Sequence, residues 1–161
     1  MNVKEIVRHE SFQFDIYNDI ALLFLEKPVT LGEFTRPICL PTPTLDIDNQ
    51  IGLFTGWGKE SYNDSNYSEF LKNVIEIPIH SRAVCEQIFR RKVMRRFRLH
   101  ESSICAGGST GEDACIGDGG MPLMYKVPKT QNKYYAVGMV SWGIGCESGV
   151  PGKTSNFSLI L

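Results

Sequence analysis

Residues Cys115-Ile116-Gly117-Asp118-Gly119-Gly120-Met121-Pro122-Leu123 crowd glycines around one aspartate in a single short stretch. A loop of that kind can aim backbone N–H groups at a carbonyl oxygen, because main-chain donors need no side chain. Acyl transfer also needs an oxygen or sulfur nucleophile activated by a neighbouring base, and Gly119 has no side chain to activate.

Other chemistry-bearing patterns are sparse. The five cysteines are Cys39, Cys85, Cys105, Cys115 and Cys146. No Cys-x-x-Cys or tight Cys/His cluster occurs, which argues against zinc; no metal and no cofactor are expected. Gly107-Gly108-Ser109-Thr110-Gly111 lacks the Gly-Lys-Ser/Thr of a phosphate loop and reads as loop geometry. Asn63, Asn66 and Asn156 each open an N-glycosylation sequon; the first two lie in the polar stretch Lys59 to Glu69. Arg90, Arg91, Lys92, Arg95, Arg96 and Arg98 form the sharpest charge feature. They read as an anion-binding surface for a polysaccharide, an acidic protein or a membrane, as a cleavage site for a trypsin-like protease, or as a solvated helix and loop. Nucleic acid is not expected, since no stacking aromatics interleave with the charges apart from Phe97.

The glycine-rich run resembles the nucleophile loop of the chymotrypsin-family serine proteases, Cys-x-Gly-Asp-Ser-Gly-Gly-Pro-Leu. The register is fixed by Cys115, Gly117, Asp118, Pro122 and Leu123, and it puts Gly119 where that family has its serine. Asn18-Asp19-Ile20-Ala21-Leu22-Leu23 resembles the segment of the triad aspartate. Pro37-Ile38-Cys39-Leu40-Pro41 resembles the interdomain link, and Thr55-Gly56-Trp57-Gly58 the start of the second barrel. Ser141-Trp142-Gly143-Ile144-Gly145-Cys146, followed by Pro151-Gly152, resembles the specificity-pocket wall. The run from Phe97 to Gly108 is similar to insect clip-domain serine protease homologues, among them the prophenoloxidase-activating cofactors of melanisation.

This resemblance implies an all-β fold, a truncated double β-barrel with one intermediate helix and the C-terminal helix mostly missing. Residues 1–50 would be the remainder of the first barrel and the interdomain link, and residues 51–161 the second barrel. It implies Asp19 at the triad aspartate position and Gly117 in the oxyanion hole. Asp113 falls at the bottom of a substrate pocket walled by Ser141, Trp142, Gly143 and Gly152. The triad histidine is expected tens of residues before Asp19, and His9, His80 and His100 do not substitute for it. Cys85 would bond Cys105 and Cys115 would bond Cys146, leaving Cys39 unpaired. Asp118 resembles the residue that pairs with a freed N-terminus. Without that partner it is expected to be an unpaired, partly buried carboxylate, which is costly and would leave the pocket poorly formed. Met121, where the family has glycine, adds bulk beside the loop.

The elements that must position these residues read mainly as strand. Leu71, Asn73, Ile75, Ile77 and Ile79 alternate with Lys72, Glu76 and Pro78 at the period of two of a half-buried strand. Leu22-Leu23-Phe24-Leu25 and Tyr134 through Trp142 are apolar runs of strand length. One helix is expected from about Ser81, a capping residue, with Val84, Ile88, Cys85 and Phe89 on one face. The 161 residues suit one domain. Lys+Arg 17 against Asp+Glu 18 gives a net charge of −1, which names no partner. No apolar run is long enough to cross a membrane, and the N-terminus lacks a signal-peptide core.

Three functions fit. The first is a catalytically inactive homologue, a regulatory or binding cofactor in an extracellular proteolytic cascade of innate immunity, with proteases or their protein substrates as partners. The second is a trypsin-like endopeptidase cleaving after Arg or Lys, which the missing nucleophile contradicts; in serine proteases that loss costs on the order of ~10⁶ in turnover. The third is an incomplete product without independent function, its sheet edges exposed.

Overall fold

The computed structural model describes residues 1–13, 17–61, 63–71, 75–108, 113–143, 146 and, for the course of the backbone, 155–159. The chain opens with a hairpin of β1 (Val3–Arg8) and β2 (Ala21–Leu25), paired antiparallel with Arg8 opposite Ala21 and Ile6 opposite Leu23. A linker with little regular structure leads to β3 (Ile51–Phe54). Then follow β4 (Ile75–His80), α1 (Arg82–Lys92), β5 (Ser103–Ala106), β6 (Pro122–Lys126), β7 (Tyr134–Trp142) and β8 (Ser155–Leu159). Strands β3 to β8 close an antiparallel barrel in the order β3-β4-β5-β8-β7-β6. The fold is all-β apart from α1, the one helix among the described residues.

Alternation decides which faces form the core. In β4, Ile75, Ile77 and Ile79 turn inward while Glu76 faces out. They meet Phe54 of β3, Leu123 of β6 and Val137 and Val140 of β7. Met121 is accommodated in the wall: its side chain packs against this core, and its N–H donates to the Asp118 carbonyl at 3.0 Å. The bulk expected to disturb the loop therefore finds apolar contacts.

Helix α1 starts where Ser81 Oγ accepts the N–H of Val84 at 3.4 Å. A second cluster, Cys85, Phe89, Phe97, Leu99 and Cys105, fixes the helix to the barrel. A disulfide joins Cys85 to Cys105. The buried face differs from the one expected at Val84, which is exposed; Glu86 is buried instead. Its carboxylate pairs with Arg90 and accepts the N–H of Leu99 at 3.2 Å. A carboxylate is tolerated there because a cation and an amide replace its water.

The hairpin behaves differently. The apolar run at residues 22–25 forms a strand as expected, yet its side chains face solvent: Leu22 is 63% and Phe24 50% exposed, with Ile6 and Leu23 alike. The hairpin end is tied to the barrel by polar and ring contacts. Asn18 N–H donates to Ser102 Oγ at 3.1 Å, and Tyr17 stacks on His100 with centroids 4.3 Å apart. Cys39, the free thiol, sits where the linker crosses β7: its N–H donates to Tyr134 and its carbonyl accepts from Ala136.

Candidate functional site

The loop from residue 113 to 121 runs between β5 and β6 and is pinned at both ends. Cys115 is disulfide-bonded to Cys146. At the other end Gly120 N–H donates to the Val140 carbonyl at 2.8 Å. Between them Asp118 is wholly buried. Its Oδ1 accepts the N–H of Gly58 at 2.7 Å and its Oδ2 that of Cys115 at 2.9 Å. The unpaired carboxylate expected from sequence is thus corrected: main-chain amides solvate Asp118 and staple the loop to residues 56–58. Backbone donors leave no mark in a side-chain pattern.

Gly117 takes φ +96°, and a Cβ there would lie 2.7 Å from Tyr67 Cε1 and 3.2 Å from Gly58 Cα. Only glycine fits without displacement. Gly119 is different. Its backbone is not in the left-handed region, and among the described residues a Cβ built on it meets nothing within 4 Å. Both residues line a groove of about 300 Å³, together with Ser141, Trp142, Gly143 and Cys146. Among the described residues the N–H groups of Gly117 and Gly119 make no hydrogen bond. Gly117 and Gly119 thus line the groove, and residue 119 brings no nucleophile to it.

Asp19 lies where the hairpin meets this groove. Ser141 Oγ donates to Asp19 Oδ2 at 2.6 Å. The three histidines sit elsewhere. His9 Nδ1 accepts from Ser11, His80 Nε2 bonds the Gly107 carbonyl, and His100 Nδ1 bonds Ser102 Oγ. Trp142 packs edge-on against Phe89 at 6.2 Å, so the groove wall rests on α1.

Asp113 is 4% exposed. Its carboxylate accepts the N–H of Gly108 at 2.7 Å and of Ala114 at 2.9 Å. It is held within its own loop rather than solvated, and it does not line the groove formed by the described residues. Gly107, at φ +88°, makes room for it: a Cβ there would stand 2.5 Å from Asp113 Oδ1. Gly152 falls outside the described residues. Asn63 and Asn66 are exposed in the loop beside Tyr67. Asn156 lies in β8, opposite Cys105 of β5 and Trp142 of β7. No group of side chains among the described residues could hold a metal ion.

Asp118, buried and amide-capped three residues after the disulfide-bonded Cys115, matches the expected loop, and the family comparison decides the assignment. The family model described as Trypsin matches residues 1–160. The chain belongs to the trypsin family. Within that family, the Anopheles gambiae protein named "Inactive CLIP domain-containing serine protease A8" is 42% identical over 153 residues, covering 94% of this chain and 41% of that protein. "Phenoloxidase-activating factor 2" of Galleria mellonella is 36% identical over 153 residues, covering 92% and 50%. "Serine proteinase stubble" of Drosophila melanogaster is 33% identical over 159 residues, covering 97% and 20%. This trypsin-family chain spans half or less of the length of these relatives.

Proposed function

We propose that this trypsin-family chain is a non-catalytic regulatory homologue that binds proteases or their protein substrates in an extracellular proteolytic cascade of the innate-immune, melanisation type. One observation carries the reading: residue 119, in the register of the nucleophilic serine, is a glycine opening onto the groove. Acyl transfer has no attacking oxygen there. The names of relatives support it, since three of them are called inactive and another a phenoloxidase-activating factor. Two disulfides and the exposed sequons at Asn63 and Asn66 fit an oxidising, extracellular setting.

On this reading residues 1–50 supply first-barrel and linker elements and residues 51–161 the second barrel. The groove serves as a binding surface, with the Gly117 and Gly119 amides as carbonyl donors, Ser141, Trp142 and Gly143 as its wall, and Asp113 as an internal support of the loop.

The test exposes the purified chain to a serine-directed phosphonate and an arginyl ester, then adds it to prophenoloxidase with its activating protease. No covalent adduct, no turnover and an altered activation rate are expected. Stoichiometric labelling, or an unchanged activation rate, overturns the reading.

A further inference from the structure

The basic residues around the end of α1 divide into two groups by what they touch. Arg82 Nη1 donates to the carbonyls of Leu99, at 2.5 Å, and His100, at 3.2 Å. Arg90 pairs with Glu86 and donates from Nε to the Phe97 carbonyl at 2.8 Å. Arg98 lies 3.6 Å from Glu86. These three hold the loop together. Arg91, Lys92, Arg95 and Arg96 are all exposed and, among the described residues, have no acidic or hydrogen-bonding partner.

Helix capping accounts for part of this charge and not the rest. Arg91 and Lys92 lie in the last turn of α1, where the macrodipole favours cations. Arg95 and Arg96 lie beyond the helix, where that effect has faded. Four like charges within six residues repel one another, so the bare surface stores a cost that an anion would relieve.

The turn that carries them is also held in shape. Val93 and Met94 both donate N–H to the Phe89 carbonyl at 2.9 Å, and Phe97 N–H donates to Met94 at 3.0 Å. Phe97 stacks on Phe89 with centroids 4.2 Å apart, beside the Cys85–Cys105 disulfide. A turn already held in shape loses little backbone freedom on binding. A shallow groove along the outer face of α1, between Val84 and Gln87, runs up to Arg90 and Arg91 and extends the track.

We propose that this face binds a linear sulfated polysaccharide, with Arg91, Lys92, Arg95 and Arg96 as the contacts. Guanidinium forks match sulfate and carboxylate oxygens two at a time. An acidic protein is the competing occupant, since arginine also serves protein interfaces, and the charge-matched polyglutamate below separates the two. Nucleic acid is disfavoured because Phe97, the aromatic among these cations, is buried against Phe89 and offers no stacking surface. The inference is independent of residue 119.

The experiment titrates the whole chain with a heparin decasaccharide across a salt series. At roughly 0.7–0.9 released counterions per contact, four contacts weaken binding roughly 50- to 150-fold between about 50 and 200 mM salt. The combined variant R91A/K92A/R95A/R96A should lose binding by a similar factor while melting within a few degrees of the parent. Three results overturn the proposal: no saturable heparin binding at the lowest salt, unchanged binding by the folded variant, or equal affinity for a charge-matched polyglutamate or single-stranded oligonucleotide.

Discussion

Ser141 Oγ donates a 2.6 Å hydrogen bond to Asp19 Oδ2 across 122 residues of chain. That bond ties the exposed hairpin to the lip of the groove. A hydrogen bond to an exposed carboxylate is worth only about 1 kcal/mol, so Ser141→Ala should leave the barrel stable. Its effect should be local. Hydrogen exchange is expected to quicken for the amides of β1 and β2 while those of β4 and β7 keep their protection; uniform loss across the barrel would mean the bond has a wider role.

The two glycines of the groove make opposite predictions. Gly119→Ser meets no neighbour among the described residues and no backbone strain, so it should change stability by less than about 0.5 kcal/mol. In this chain it should not create turnover on an arginyl ester, because no histidine among the described residues meets Asp19. Gly117→Ala forces a Cβ against Tyr67 at φ +96° and should cost roughly 1–3 kcal/mol. Urea melts of the pair would show the asymmetry, and equal costs would contradict the geometry.

Asp118→Asn tests the amide cage. The substitution presents an NH₂ group to one of two buried N–H donors, those of Gly58 and Cys115. A buried donor left without an acceptor costs about 1–3 kcal/mol. The midpoint of denaturation should fall accordingly, whereas a neutral result would mean that the loop does not depend on this carboxylate.

Glu86→Ala removes the anion that Arg90 and Arg98 share and the acceptor of the Leu99 amide. With Arg90 partly solvated, a loss of about 2 kcal/mol is expected. Residues 93–98 should then open to trypsin at Arg95 and Arg96. Because Cys85 and Cys105 flank that segment, the nicked pieces should separate on a gel only after reduction. Resistance equal to the parent would show that the loop is held by its aromatic packing alone.

Local pattern carried much of this fold. The apolar run from Tyr134 to Trp142 is β7 with the same bounds, and Ser81 caps α1 as its side chain predicts. The inward residues Ile75, Ile77 and Ile79 follow from alternation. What escaped the sequence is whatever depends on a distant partner. Leu22 to Phe24 has the composition of a buried strand, yet burial requires a surface opposite, and the described residues provide none. The carboxylate cage of Asp118 is built from main-chain N–H groups, which every residue but proline carries. The tether from Ser141 to Asp19 joins two ordinary polar residues whose proximity only the closed barrel creates.

The empty space over residue 119 has an evolutionary corollary. No packing among the described residues guards the glycine there, and a GGT or GGC codon becomes a serine codon by one base change. A hydroxymethyl group could return without any compensating replacement nearby. If the chain stays as it is across generations, selection on its sequence, and not the shape of its loop, keeps it that way.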